Sequence, residues 1–345
     1  MTLLEVNDLR IHYETSAGPV QAVDGVSFSI DEGENLGIVG ESGCGKTTLA
    51  DAILGILEEN GYVAGGEIRF KGEDLTELTG AERRRIMWDE ISMIPQSAMN
   101  ALDPVYTVRE QILESIFTHR KMSKKEANER VDELFELVGL DPDRADDYPH
   151  QFSGGMRQRA MIAMALSLDP ALILADEPTT ALDVIMQDQI LKRISALQDE
   201  INSSMMIITH DVSVVAETCD RVVVMYAGKV AEEGPASTIF DKPYHPYSVG
   251  LKGAFPNIRK PNQDLVSIPG HPPELVDPPT GCRFADRCPL ATDVCYSEDP
   301  PEVTDHADDL RTFCHHVDQI DGGFRDRADE RTTWEETKAA REVSQ

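Results

Sequence analysis

The stretch GESGCGKT, Gly40 to Thr47, limits what this chain can fold into more than any other feature. It matches the phosphate-binding loop G-x-x-x-x-G-K-[ST]. Its context is also the required one: the apolar LGIVG precedes it, and KTTLADAILGIL (46–57) follows with apolar residues at helical spacing. The glycines let successive backbone N–H groups turn inward around phosphate oxygens at a helix N-terminus, where the helix dipole favours anions. In such a loop Lys46 reaches the β- and γ-phosphates and the Thr47 hydroxyl binds Mg²⁺. A strand, this loop and a helix in that order predict an α/β core.

A second piece of the same chemistry lies in LILADEP (172–178). A short, nearly continuous apolar run suits a strand buried on both faces. It ends in Asp176, placed like the aspartate that joins the Mg²⁺ shell in P-loop ATPases. Glu177 comes next and, by strand alternation, points elsewhere, where it can orient or deprotonate a water. Upstream, FSGGMRQRA (152–160) puts two glycines after a serine at the start of a helix, a second anion site made of backbone amides.

The order of phosphate loop, glutamine, SGG segment, acidic strand end and late histidine resembles that of the ATP-binding-cassette ATPases. The resemblance implies a P-loop (RecA-like) core with an antiparallel β subdomain and a helical subdomain. It also implies roles residue by residue. Tyr13 resembles the aromatic residue that stacks on adenine. Gly40, Glu41, Ser42, Gly43, Cys44, Gly45, Lys46, Thr47 and Thr48 form the phosphate cradle. Thr47, Gln96 and Asp176 hold Mg²⁺, and Gln96 relays nucleotide state to a membrane partner. Ser153, Gly154 and Gly155 close over the γ-phosphate held by an opposite protomer, and Asp183 links the two sites. Glu177, His210, Gln96 and Lys46 carry catalysis, with His210 as the switch histidine on the γ-phosphate. The chemistry implied is in-line attack of water on ATP, with catalysis by positioning and charge stabilisation.

Two further stretches narrow the resemblance. SAMNALDPVYTV after Gln96, and FDKPYHPYSVGLKGAFPN with its His245-Pro246-Tyr247 segment, resemble the oligopeptide and dipeptide importer ATPases. That family implies a second homologous ATPase subunit, two transmembrane permease subunits and an extracellular substrate-binding protein. It implies a place at the cytoplasmic face of the membrane, reached through the permeases. Relatives that move nickel or short saccharides share the same machine. An exporter ATPase would share every catalytic motif, and only the His-Pro-Tyr extension argues against it. A soluble cassette ATPase acting on nucleic acid or ribosomes is the other class.

Composition bears on that last choice. The net charge is −30, so nucleic acid is repelled unless a basic stripe overrides the field, and the longest basic run is RRR at residues 83 to 85. The acid excess runs along the whole chain, with arginine outnumbering lysine, a pattern resembling proteins of salt-loving archaea. No stretch reaches the eighteen apolar residues of a membrane span, and no secretory signal is visible at MTLLEVNDLR.

A chain of 345 residues suits one large domain plus a smaller one. Three strands are expected before residue 40, two helices within 107–138, and a third from SGGMRQ. Further strands fall at 171–178 and 205–211, and a hairpin over 222–234 turns at Ala227-Gly228. Residues 1–240 are assigned to the nucleotide-binding domain, with the helical subdomain at about 97–165. Residues 241–320 form a Pro-rich, turn-filled extension, and 321–345 an acidic, partly disordered tail.

That extension holds four of the six cysteines, Cys282, Cys288, Cys295 and Cys314. A cytosolic setting disfavours disulfides. The gaps of five, six and eighteen residues are wider than the usual pairs of a zinc site, and ferredoxin clusters are usually tighter too. A metal could hold together a segment with little apolar core of its own. Some importer ATPases of this family bind a [4Fe–4S] cluster with a similarly placed set, and that resemblance implies these four as its ligands. His315 and His316 keep Zn²⁺ as the alternative. Cys44 lies in the phosphate loop, where amides and Lys46 would lower a thiol's pKa; a small side chain tolerated at that position is the stronger reading.

Overall fold

The structure is a computed structural model that describes residues 1–96, 101–178, 184–253, 268–304, 306–328 and 334. In chain order its main elements begin with β1 (Thr2–Thr15), β2 (Gly18–Asp31), β3 (Asn35–Val39) and α1 (Lys46–Leu54). Next come β4 (Gly61–Phe70), β5 (Glu73–Asp74), α2 (Gly80–Ile86), β6 (Ile91–Ile94), α3 (Val108–His119) and α4 (Lys124–Leu137). Then follow α5 (Gly154–Ala165), β7 (Leu172–Asp176), α6 (Val184–Ile201), β8 (Ser204–Ile208), α7 (Val212–Thr218), β9 (Arg221–Tyr226) and β10 (Lys229–Pro235). After β10 come α8 (Ala236–Asp241), α9 (Pro246–Gly253), β11 (Glu302–Val303) and β12 (Arg311–Phe313). The chain divides into two compact units: Met1–Leu4 with Ser29–Asn35 and Arg69–Thr209, and Glu5–Phe28 with Leu36–Ile68 and His210–Gln345.

The first unit holds parallel strands β6, β7 and β8 in adjacent register, Ile94 opposite Ala175 and Asp176 opposite Ile208. Every residue of β7 and β8 is buried, as the unbroken apolar runs require of strands covered on both faces. Helices α3 and α4 each start with a reciprocal capping box. Thr107 pairs with Glu110 and Ser123 with Glu126, so two otherwise orphaned N–H groups are satisfied at each start. Ser153 caps α5 by accepting the Met156 amide at 3.3 Å.

The second unit combines two kinds of sheet. β2, β1 and β4 lie side by side in one, and in the other β3 pairs parallel with β9. β9 and β10 form the predicted hairpin, turning at Ala227 and Gly228 with φ of 48° and 84°. Positive φ at both positions is the twist-matched two-residue turn. β12 adds to β10 at Glu232 opposite Thr312, and β11 adds to β12.

The extension departs from its expected character in two ways. The His-Pro-Tyr segment opens helix α9 because proline is tolerated in the first turn, where its missing N–H has no helical partner anyway. The extension is also not short of apolar core. Phe284, Cys288, Cys314, Leu310, Phe324 and Trp334 join Val222, Val224, Tyr226 and Tyr247 in one buried cluster. Trp334, in the expected disordered tail, is 1% exposed and donates its indole N–H to the Ala328 carbonyl at 3.1 Å. Strands β4 and β6 and helices α2 and α6 were not expected from the sequence.

Candidate functional site

The phosphate loop is shaped by backbone crowding. A Cβ on Gly45 would meet the Ala22 carbonyl oxygen at 2.3 Å, and Gly45 sits at φ 99°, the N-cap of α1. A Cβ on Gly40 would meet the Met225 carbonyl oxygen at 2.2 Å. Lys46 is buried, and its ammonium donates to the carbonyls of Gly40 at 2.8 Å and Glu41 at 2.9 Å, with Cys44 Sγ at 3.6 Å. Ser42, Gly43 and Thr47 are exposed along the loop.

Beside the loop lies a hollow of about 400 Å³ lined by Tyr13, Val20, Thr47, Thr48, Asp51, Glu58 and Asn60. The Tyr13 hydroxyl donates to the Thr48 hydroxyl at 3.5 Å. The sequence-predicted aromatic residue and the two loop threonines therefore share one cavity wall. Asn60 and Glu58, which also line it, carried no sequence signal.

In the first unit, β6 and β7 run parallel in register, so the residues just beyond their ends come together. Gln96 Nε2 donates to Glu177 Oε2 at 2.9 Å. Asp176 is buried at the end of β7, and Glu177 is half-buried with φ 48°, in the left-handed region. Its amide donates to the Ile208 carbonyl at 2.7 Å. A non-glycine residue held in this region costs on the order of 1 kcal/mol or more and is characteristic of functional turns.

Ser153 is exposed at the head of α5 and Gly154 and Gly155 are half-buried there. Gln158, one turn further on, is 1% exposed and donates to the Pro178 carbonyl at 2.6 Å. This tie between the SGG helix and the residue after Glu177 escaped sequence reading, because a glutamine on a helix has no pattern of its own. His210 is exposed just after β8, and Asp211 beside it caps α7 by accepting the Ser213 amide at 3.0 Å. Asp183 lies outside the described residues.

The cysteines bear on the disulfide, metal and redox expectations in turn. All six are free thiols. Among the described residues no three or more His, Cys, Asp or Glu side chains are grouped to hold a metal ion. Four ligands of zinc must converge within about 2.3 Å of one point. Instead His315 Nε2 lies 3.1 Å from the Glu298 carbonyl and His316 Nε2 lies 2.8 Å from the Thr292 hydroxyl. The described residues thus support neither the [4Fe–4S] nor the Zn²⁺ expectation by themselves. Cys288, Cys295 and Cys314 are buried. Burial pushes the Cys282 thiol up to about 11, Cys314 to about 12, and Cys288 well above the usual value. Cys44 also shifts up, because burial outweighs the nearby Lys46, so it is not an activated thiol.

Comparison with known proteins accounts for most of the chain. The ABC transporter family profile matches residues 23–180, and the oligopeptide/dipeptide transporter C-terminal region matches residues 231–295. The chain is 49% identical to the dipeptide transport ATP-binding protein DppD of Bacillus subtilis, over 85% of this chain and 88% of that protein. It is 47% identical to the probable peptide ABC transporter ATP-binding protein y4tR of Sinorhizobium fredii, over 86% and 90% respectively. Among solved structures, the dimeric post-hydrolysis state of the ATP-binding cassette MJ0796, bound to ADP and Pi, matches with TM-score 0.63 at 29% identity. It covers 68% of this chain and 99% of the cassette. The protein is thus an ABC ATPase. Within that class it belongs to the transport ATP-binding proteins that carry the oligopeptide/dipeptide C-terminal region.

Proposed function

We propose that the chain is the ATP-hydrolysing subunit of an importer for di- or oligopeptides, bound to the cytoplasmic face of the membrane through permease subunits. The observation that carries this reading is the pairing of a cassette phosphate loop with the His-Pro-Tyr extension in one chain. Among the described residues no helix is long and apolar enough to cross a membrane, so transport needs membrane partners. Two permeases, an external binding protein and a second homologous ATPase complete the machine. Nickel and short saccharides are the alternative cargoes.

In this reading Lys46 and the loop amides hold the β- and γ-phosphates, with Tyr13 on the adenine. Thr47, Gln96 and Asp176 hold Mg²⁺. Glu177 orients the attacking water, and its hydrogen bond from Gln96 supports that role. His210 contacts the γ-phosphate. Ser153, Gly154 and Gly155 serve the site of the opposing subunit, and Asp183 links the two. Residues 1–240 act as the nucleotide-binding domain and 241–320 as the importer extension. Reconstituted with its permeases and sibling ATPase in vesicles, the chain drives ATP-dependent peptide uptake. Glu177→Gln, with the corresponding change in the sibling ATPase, still allows ATP binding but lowers turnover at least a hundredfold. Undiminished hydrolysis would remove Glu177 from its role, and ATP-driven uptake of nickel or saccharide without peptide would replace the cargo.

A second reading concerns the cysteines: Cys282, Cys288, Cys295 and Cys314 hold a [4Fe–4S] cluster. The donor set supports it. Cys288 lies within electrostatic reach of Cys314, Cys282 and Cys295, so the four share one neighbourhood. The His316 amide donates to Cys314 Sγ at 3.3 Å, and amides of Leu290, Phe284 and Ala285 donate to the sulfurs of Cys288 and Cys282. Such N–H donors favour sulfur anions. A bound cluster would replace the thiol protons that burial otherwise retains. Anaerobic purification with iron and acid-labile sulfide assays tests it, with about four iron atoms per chain expected. A colourless chain without iron ends the assignment. The acidic surface fits a concentrated-salt cytoplasm.

A further inference from the structure

Arg287 sits in the turn before Cys288, yet its guanidinium is directed at the phosphate loop. Nη1 donates to Glu41 Oε2 at 2.7 Å and Nη2 to Glu41 Oε1 at 2.9 Å, a bidentate pair. The Arg287 side chain is 6% exposed. It is fixed further by donation to the Tyr226 hydroxyl at 3.1 Å and to the carbonyls of Pro269 at 2.9 Å and Ile268 at 3.3 Å. Glu41 is held on its backbone as well: its amide donates to the Tyr247 hydroxyl at 2.8 Å. Tyr247 is fully buried, its ring 4.7 Å from Tyr226 and 5.4 Å from Phe284. The Glu41 carbonyl in turn accepts from the Lys46 ammonium at 2.9 Å. One unbroken chain of charged and polar contacts therefore runs from the cysteine-bearing extension to the loop lysine.

We propose that Arg287 and Tyr247 are positioning residues for the phosphate loop. Acting through Glu41, they set its curvature and the place of Lys46, so that nucleotide affinity depends on the extension being in register with the loop. Neither touches nucleotide. A desolvated, bidentate guanidinium–carboxylate pair with its remaining donors satisfied has one geometry, and breaking one side leaves the other charge without its partner. The inference rests on the reading of Gly40 to Thr47 as the ATP site.

The test is calorimetric titration of the full-length chain with Mg·ATP, alongside thermal melts of each variant. Arg287→Met and Glu41→Gln are each expected to weaken ATP binding about tenfold. The double variant should be no weaker than either single change, because the two remove the same contact. Arg287→Lys should recover only part of the loss, since an ammonium lacks the two-pronged fork. Tyr247→Phe keeps the ring packing, removes only the hydroxyl, and should weaken binding about threefold. Arg311→Met, which breaks an ion pair with Glu233 away from the loop, should lower the melting temperature and leave ATP affinity unchanged. Arg287→Met binding ATP like the parent chain, or additive losses in the double variant, would overturn the inference. Lys46→Ala separates the two readings. If it binds ATP normally, the loop is not the ATP site. If it loses binding while Arg287→Met and Tyr247→Phe do not, only the positioning role falls.

Discussion

The phosphate loop and the cysteine-bearing extension are both irregular stretches, but they are held in opposite ways. The loop is held mainly through backbone: Gly45 and Gly40 leave no room for a Cβ against the carbonyls of Ala22 on β2 and Met225 on β9, and Lys46 folds back onto loop carbonyls. The extension is held by side chains. Its thiols and aromatic rings pack into a shared cluster with Val222, Val224 and Tyr226, and its arginines anchor outward: Arg283 to Asp24, Arg287 to Glu41, Arg311 to Glu233. A backbone-held site is most sensitive at the glycines that meet neighbouring carbonyls, and here also at Lys46 and Glu41, whose side chains tie it down. A side-chain-held one is sensitive to burial and charge.

Gly45→Ala is the larger test of that difference. Its Cβ meets a carbonyl oxygen well inside contact distance, and φ 99° is a conformation that alanine resists. The combined strain is about 3 kcal/mol, which corresponds to roughly a hundredfold or greater loss of ATP affinity. The strain is relieved locally by distorting the loop, so the melting temperature should move little. A variant that binds ATP normally but melts well below the parent chain would break the comparison, because the glycine would then be serving stability rather than the site.

The same contrast decides what could be read from sequence. A backbone-held loop leaves its signature in spacing, so Gly40 to Thr47 was legible, as were the buried runs of β7 and β8 and the Ala227-Gly228 hairpin. The meeting of Gln96 with Glu177 follows from parallel register beyond two strand ends, which no local pattern encodes. The extension was read as Pro-rich and poor in core because its apolar residues are scattered: Phe284, Leu310, Phe324 and Trp334 show no period. Their burial comes from strands β9 and β10, far off in sequence. Arg287 illustrates the limit, since nothing in CRFADRC says that its arginine at position 287 reaches a loop 246 residues earlier.

Glu232 gives the smaller test, on the side-chain-held half. It lies on β10, fully buried, with Oε1 accepting the Tyr244 amide at 2.6 Å and the Thr312 hydroxyl at 3.2 Å. Burial pushes its carboxyl up from 4.5 to about 7. The folded chain therefore holds a proton that the unfolded chain has lost between those values. Its contribution to stability is present below the unfolded value and is lost as pH rises through about 7. His245 acts in the opposite sense: burial lowers it from 6.5 to about 3, so its contribution is present above 6.5 and falls as the unfolded histidine takes up a proton below it. The two slopes oppose one another over mildly acidic pH, which flattens the profile of the parent chain. Glu232→Gln removes one of them. Relative to that variant, the parent chain should lose on the order of 2 kcal/mol between about pH 5 and pH 7, measured by denaturant unfolding at each pH. A constant difference across that window would mean that Glu232 stays ionised in the fold. The extension would then be anchored to β10 by a buried charge rather than by a neutral hydrogen-bonded acid.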